Sequence, residues 1–309
     1  MQIRAFRLLV SLLCIASFAS CNPEIVKAAN EEDFAKVEAL LEAGGDPNEA
    51  NKYGWTALMF ASYRGSEKIV NILLGAGADP NLVSEKIVGN TMAPVYPTTA
   101  LKESLREGHV NIARILIAKG AEIDNETYAI TGGTGDIELL KLMIAKGIDP
   151  IKADQEEPAL LYAVNNGRVD TVIWLLENGT DPDVCKGNPL MAAVWSGNLE
   201  IAKILLDKGA DPNGPVPGQS SYLHAIYRHT VNPDADPEFK LLKLLLKYGA
   251  NPNSTEDDYP MYGRTPIDYL KTKRDEASAR LRDPIAAAKD HDRKVIQHLD
   301  KLIPFLEKL

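Results

Sequence analysis

Apolar positions along the chain recur in short helical blocks and not in the alternating pattern of strands. Amphipathic stretches end in segments such as Ile72-Leu73-Leu74 and Ile204-Leu205-Leu206, and a glycine-containing turn follows each one. A second apolar block lies upstream, for example Thr56–Ala61. The glycines between the paired blocks are Gly65, Gly108, Gly135, Gly167 and Gly197. Apolar residues spaced three and four apart predict α-helices, so the pattern predicts an all-α chain of helix pairs.

The turn after each second helix has a repeated sequence. The copies read EAGGDPN, GAGADPN, AKGAEID, AKGIDP, ENGTDPD, DKGADPN and KYGANPN. Their acidic or asparagine positions are Asp46, Asp79, Glu122, Asp149, Asp181, Asp211 and Asn251. Glycine is suited to a left-handed cap that ends a helix, and Asp-Pro to a sharp turn. A short unit that cannot bury its own apolar face must stack on its neighbours.

This repetition resembles the ankyrin repeat, a unit of about 33 residues with two helices and a β-turn. The resemblance runs from about Pro23 to Thr272. It implies an α-solenoid of about eight helix-turn-helix repeats with β-turn fingers. We therefore expect repeats over residues 23–264 and a C-terminal capping repeat over 265–309.

Some segments depart from the repeat. The unit from Tyr128 to Pro150 is short, the stretch Leu82–Pro97 predicts a long finger, and Asn232–Glu238 is inserted between two helices. The last amphipathic helix is predicted over Lys294–Leu309. We expect it to break near Pro304, because proline lacks the amide donor of a helix interior.

The first residues have the features of a secretory leader. Arg4 and Arg7 precede an apolar run, Leu8–Phe18, which is too short for a bilayer span of about 20 residues. The pattern predicts a signal peptide over residues 1–20. Two cleavage sites remain open. Ser17-x-Ala19 suits ordinary cleavage before Ser20.

The alternative cleavage site involves a cysteine. The sequence FASC resembles the lipobox of bacterial lipoproteins, although Phe18 stands where leucine is usual. The resemblance implies that Cys21 is lipidated and that residues 21–22 form a lipid-anchored N-terminus. By similarity to enterobacterial lipoproteins, Asn22 favours the outer membrane. We therefore expect a periplasmic protein attached to the membrane through its lipid.

Charge and cysteine content restrict the possible partners. The formal net charge is −9, and the leader contributes two arginines but no acid. A surface this acidic disfavours nucleic-acid phosphates and would steer a protein with a basic face. The cysteines are Cys14, Cys21 and Cys185, too few for a disulfide framework. We expect a monomer in the absence of its partner.

The sequence offers no catalytic motif. It lacks H-E-x-x-H, G-x-S-x-G and a P-loop. The glycine-rich stretch Thr131–Asp136 has no buried strand before it and is predicted to be an inter-helix turn. His109 and His224 occupy positions where ankyrin repeats commonly carry histidine for local hydrogen bonds. Cys185 is predicted to lie in a loop. We expect no catalytic residue, cofactor or metal site.

Aromatic residues at outward positions are the remaining signal. In an ankyrin stack the first helices and the fingers line the concave face. The candidate partner-binding residues are Phe60, Tyr63, Arg64, Tyr96, Tyr162, Trp195 and Arg228. Aromatic and arginine side chains dominate interface energetics. The alternative is that the aromatic residues pack against neighbouring fingers. Trp174, by contrast, is expected in the core.

The resemblance implies a non-catalytic protein-binding lipoprotein of the bacterial envelope. Lipid-anchored ankyrin proteins of this kind include immunity proteins that neutralise periplasm-acting toxins such as phospholipase effectors. A periplasmic scaffold or stress-protection protein is the alternative, and an enzyme is a distant third.

Overall fold

The computed structural model describes residues 23–84, 97–156, 158–213, 239–251, 266–282 and 289–308. Within these ranges every regular element is a helix. The chain divides into two compact units, one ending at Ile148 and one beginning at Asp149. Each unit is described by itself below.

The first unit contains four successive helix pairs. The pairs are α1 (Glu24–Asn30) with α2 (Phe34–Glu42), α3 (Ala57–Arg64) with α4 (Glu67–Gly75), α5 (Ala100–Arg106) with α6 (Val110–Ala118), and α7 (Asn125–Thr134) with α8 (Ile137–Ala145). First helices pack in the order α1, α3, α5, α7, and second helices in the order α2, α4, α6. Leu58, Leu101 and Tyr128 are fully buried. The stacked helices therefore share one continuous apolar core.

The second unit continues the pairing and ends in a helical hairpin. Its helices are α9 (Pro150–Glu156), α10 (Ala159–Asn165), α11 (Val169–Glu177), α12 (Val184–Ser196), α13 (Leu199–Asp207), α14 (Lys240–Lys247), α15 (Pro266–Arg282) and α16 (Lys289–Leu306). First helices α10 and α12 pack together, and second helices pack in the order α11, α13, α14.

The C-terminal helices α15 and α16 run antiparallel. Ion pairs Lys271–Glu307, Arg274–Asp300 and Arg280–Asp292 join them at 2.7, 2.5 and 2.8 Å. Residues later in α15 pair with residues earlier in α16, so the two helices run antiparallel. Leu299 and Leu302 of α16 are fully buried.

The repeated turn links neighbouring repeats through its asparagine. In the first copy, the Asn48 amide oxygen accepts the Asp79 N–H at 2.7 Å and the amide nitrogen approaches the Gly77 carbonyl at 3.4 Å. Asn81 bonds Glu122 N–H and the Gly120 carbonyl in the same way. These contacts satisfy backbone groups that a helix end leaves without partners. The asparagine is therefore a bridge between repeats as well as a turn residue.

The inter-helix connections are closed by local caps. Thr56 and Thr99 accept the amide of the residue three positions later, as an N-cap should. Gly65, Gly135 and Gly197 end their helices in the left-handed conformation. Between α1 and α2 the corresponding position is Glu32, which also has a positive φ, of 60°. A non-glycine residue there is strained.

Three expectations from sequence are wrong in this structure. Helix α16 continues through Pro304 and ends two residues later. Trp174 is half-buried and is not a core residue. Cys185 lies in the first turn of α12, with φ 53°, and not in a loop.

Candidate partner-binding surface

Three aromatic rings meet where the finger of the second repeat contacts its first helix. The centroid of the Trp55 ring lies 4.8 Å from that of Phe60 and 6.3 Å from that of Tyr63. We call these three residues the Trp55 cluster. Trp55 and Tyr63 are half-exposed, whereas Phe60 is only 6% exposed. The expectation that Phe60 points outward is therefore wrong, because the Trp55 ring covers it.

The finger that carries Trp55 is held by one buried asparagine. The Asn51 backbone N–H donates to the Trp55 carbonyl at 2.9 Å. Its side-chain oxygen accepts the amides of Tyr53 and Trp55 at 2.9 and 3.0 Å. An isolated antiparallel bridge, Ala50 to Thr56, closes the turn. The finger is thus fixed before any partner binds, which lowers the entropic cost of binding.

Arg64 lies beside the Trp55 cluster in a defined orientation. Its Nε and Nη2 donate to Asn30 Oδ1 at 3.2 and 2.9 Å, across to α1. Its guanidinium carbon lies 5.7 Å from the Tyr63 ring centroid. Within the described residues no carboxylate pairs with it. Arg64 is therefore a half-buried, positioned cation whose only described side-chain hydrogen-bond partner is neutral.

Trp195 is the most exposed large apolar side chain of the described residues. It lies near the end of α12 in the second unit and is 61% exposed. Leu199, at the start of α13, is 37% exposed. Tyr162, on α10, is half-buried. The prediction of an outward tryptophan on a first helix is confirmed for Trp195.

Several predicted site residues cannot be compared with the structure. Tyr96, Arg228 and Cys21 lie outside the described residues, as does most of the predicted finger Leu82–Pro97. The base of that finger is described, and it is joined by Ser84 N–H to the Thr98 carbonyl at 2.9 Å.

A group of charged residues forms ion pairs that hold α5 and α7 together. Lys102 contacts Glu126 and Asp124 at 2.5 and 2.9 Å. Arg106 contacts Glu103 and Glu126 at 2.8 and 2.7 Å. Burial lowers the pKa of Lys102, but hydrogen bonds to Glu126 and Asp124 outweigh burial and raise it overall. Each charge has an opposite partner, so the network joins two repeats.

The glycine-rich stretch is only partly the turn that the sequence predicts, because Thr131–Thr134 are helical and the turn itself is Gly135. It closes α7, and Asp136 then caps α8 by accepting the Leu139 amide at 2.9 Å. Among the described residues no group of three histidine, cysteine or acidic side chains could hold a metal ion. The helices of the described ranges also lack a segment with the length and apolarity of a membrane span.

Comparison with known proteins agrees with this arrangement. The family model for ankyrin repeats (3 copies) matches residues 9–84, 25–127 and 127–215. The chain belongs to the ankyrin-repeat family. The solved human ASB11 ankyrin repeat domain has a similar fold, with a TM-score of 0.58 and 22% identity over 74% of this chain and 99% of that one.

Two curated relatives show how widely the repeat occurs. A putative ankyrin repeat protein of fowlpox virus is 28% identical over 62% of this chain and 36% of its own length. A putative ankyrin repeat-containing protein of Treponema pallidum is 28% identical over 48% of this chain and 49% of its own. The chain thus spans half or less of these relatives.

Family membership indicates the general role of the repeats. Ankyrin repeats mediate protein–protein interaction and are generally non-enzymatic scaffolds. The ankyrin solenoid expected from the repeated turn is confirmed. The surfaces around Trp55 and Trp195 are therefore candidates for contact with a protein partner.

Proposed function

We propose that this ankyrin protein is an immunity protein of the bacterial envelope, held at the membrane by a lipid on Cys21. It would bind and neutralise a toxin that acts in the periplasm, such as a phospholipase. The observation that carries the binding role is Trp195, which is 61% exposed near the end of a first helix. Exposed tryptophans are costly in water and are frequent interface hot spots.

The lipid anchor is supported by the leader sequence. A basic start, the apolar run Leu8–Phe18 and the FASC sequence precede a fold that begins at Pro23. A diacylglycerol and an amide-linked acyl chain on one cysteine would give stable attachment, because two or more chains are needed for it. The binding surfaces would then lie close to the membrane that a phospholipase attacks.

The anchor is tested by metabolic labelling with palmitate in a bacterial host. The wild-type protein should incorporate label and fractionate with the outer membrane, and Cys21→Ser should do neither. Absence of label in the wild type would refute the anchor and favour ordinary cleavage before Ser20.

The immunity role is tested by co-expression with a toxin encoded beside the gene. Cells that export both proteins should survive, whereas cells that carry the toxin alone should lyse. Affinity capture of the mature protein should recover that toxin. The alternative role, an envelope scaffold, would be supported if capture recovers resident envelope proteins and co-expression gives no protection.

A further inference from the structure

We propose that the Trp55 cluster and Arg64 bind a segment of the partner that presents a carboxylate next to an apolar side chain. This inference rests on the proposed function only in requiring a protein partner. It holds whether that partner is a toxin or an envelope protein.

The charge of Arg64 is not balanced by any carboxylate of the described residues. Five arginines on α5, α6, α15 and α16 each contact a carboxylate at 2.5 to 2.9 Å. Arg64 instead contacts the neutral amide of Asn30, and no carboxylate of the described residues pairs with it. Lys52 of the adjacent finger lies over the Tyr53 ring at 4.8 Å and also has no described acidic partner. Arg64, beside the cluster, and Lys52, in the finger that carries Trp55, thus have no acidic partner among the described residues, on a chain of net charge −9.

The orientation of Arg64 suits a planar anion. Asn30 binds Nε and one N–H of Nη2 on one side of the guanidinium, which leaves Nη1 and the second N–H of Nη2 as a pair of donors for a ligand. Arginine recognises carboxylates through paired N–H donors more specifically than lysine does. Because Asn30 already fixes the side chain, less rotamer freedom is lost on binding.

The aromatic neighbours define the second half of the ligand. Tyr63 lies between Arg64 and Trp55, at 5.7 Å from the guanidinium carbon and 6.3 Å from the indole. A ligand side chain on the half-exposed rings would lie one or two residues from a carboxylate on Arg64. An apolar side chain there would remove water from the ion pair and strengthen it. A phosphate would carry more negative charge onto an acidic protein, which favours a carboxylate.

The test uses a random heptapeptide display library, selected on the intact mature protein and counter-selected on Arg64→Gln. Selected peptides should contain aspartate or glutamate beside an aromatic or aliphatic residue. One selected peptide and its Glu→Gln or Asp→Asn form are then measured by calorimetry. Loss of the peptide carboxylate and Arg64→Gln should each weaken binding at least tenfold. The two changes together should weaken binding little more than either change alone.

The controls separate charge, geometry and folding. Arg64→Lys keeps the charge but not the paired donors and should recover only part of the affinity. Arg282→Gln, an exposed arginine at the end of α15, removes the same charge elsewhere and should leave binding unchanged. Equal melting temperatures for wild type and Arg64→Gln would show that the fold is intact. If Arg64→Gln does lower the melting temperature, the peptide Glu→Gln comparison on wild-type protein still decides the question.

Selection of peptides without an acidic residue, failure to enrich any peptide, or equal affinity for the acid and amide forms would each overturn the inference. A captured partner that binds Arg64→Gln as tightly as wild type would also overturn it, and the proposed function would stand. If affinity capture recovers no toxin while the selected peptide still binds, the proposed function fails and this inference stands.

Discussion

The imidazole of His109 fills the space directly over Gly65, so that a β-carbon added there would lie 2.5 Å from the ring. The same ring places Nε2 3.2 Å from the Tyr63 carbonyl. His109 of one repeat thus supports the turn that orients Tyr63 and Arg64 in the preceding one. The sequence predicts only a local hydrogen bond for this histidine, whereas the bond observed reaches Tyr63 in the preceding repeat.

Gly65→Ala should destabilise the protein by about 3 kcal/mol. The left-handed conformation, φ 81°, costs a non-glycine residue about 1–2 kcal/mol, and forcing the His109 ring aside adds about 1–3 kcal/mol. Gly108→Ala is the matched control. Gly108 has φ 82° with no atom within 4 Å of an added β-carbon, so its replacement should show the conformational cost of about 1–2 kcal/mol alone. Equal losses in urea unfolding would disprove the contact with His109.

Glu32→Gly should stabilise the protein by about 1 kcal/mol. Glu32 has φ 60° and occupies the inter-helix position that glycine holds in the later repeats, and a side chain there costs about 1–2 kcal/mol, partly offset by the extra freedom of glycine when unfolded. Glu32→Ala removes the same charge but keeps the β-carbon, and it should not stabilise. If both variants gain stability equally, the effect comes from charge, and the backbone explanation fails.

Sequence reasoning found the fold because its signal is repeated, and it was less successful with single side chains. Counting back from Gly65 places Phe60, Tyr63 and Arg64 on one outward face. The structure shows that Phe60 lies under Trp55, a contact that depends on how the finger folds over the helix. The bridge from Asn48 to Asp79 was missed for a similar reason. The repeated DPN marks the position of that asparagine, but its partner belongs to the next repeat.

One turn has an acid, Asp183, where the next turn has the bridging asparagine Asn213. Asp183 accepts the Asp211 amide at 3.0 Å, as Asn213 accepts that of Asn251 at 2.6 Å. Asn213 also donates to the Gly249 carbonyl at 3.3 Å. An ionised Asp183 has no proton to donate to the corresponding Gly209 carbonyl. Burial raises the pKa of Asp183 above 3.8, as do the charges of Asp181 and Asp211, against the lowering effect of the Asp211 amide.

Asp183→Asn should therefore stabilise the protein at neutral pH by about 1 kcal/mol, the typical contribution of one hydrogen bond. Because the folded-state pKa is raised, the stability that protonated Asp183 contributes is present below pH 3.8 and is lost as pH rises through the folded pKa. The advantage of the variant should accordingly grow with pH over that window.

Urea unfolding of both proteins across this pH range measures the difference. Asn213→Asp, which places the same acid in the next turn, should lose stability at neutral pH and recover part of it in acid. A pH-independent difference for Asp183→Asn would show that the proton does not matter.

Trp195→Ala should separate binding from folding. The side chain is 61% exposed, so its removal leaves no core cavity and should change the free energy of unfolding by less than about 0.5 kcal/mol. If Trp195 is an interface hot spot, the same change should weaken partner binding by about 2 kcal/mol or more, which is roughly 30-fold. Leu190→Ala, in the same helix but fully buried, should cost about 2–5 kcal/mol of stability. Unchanged affinity of Trp195→Ala for a captured partner would place the contact elsewhere on the protein, because an exposed indole in the interface cannot be removed without loss of buried apolar area.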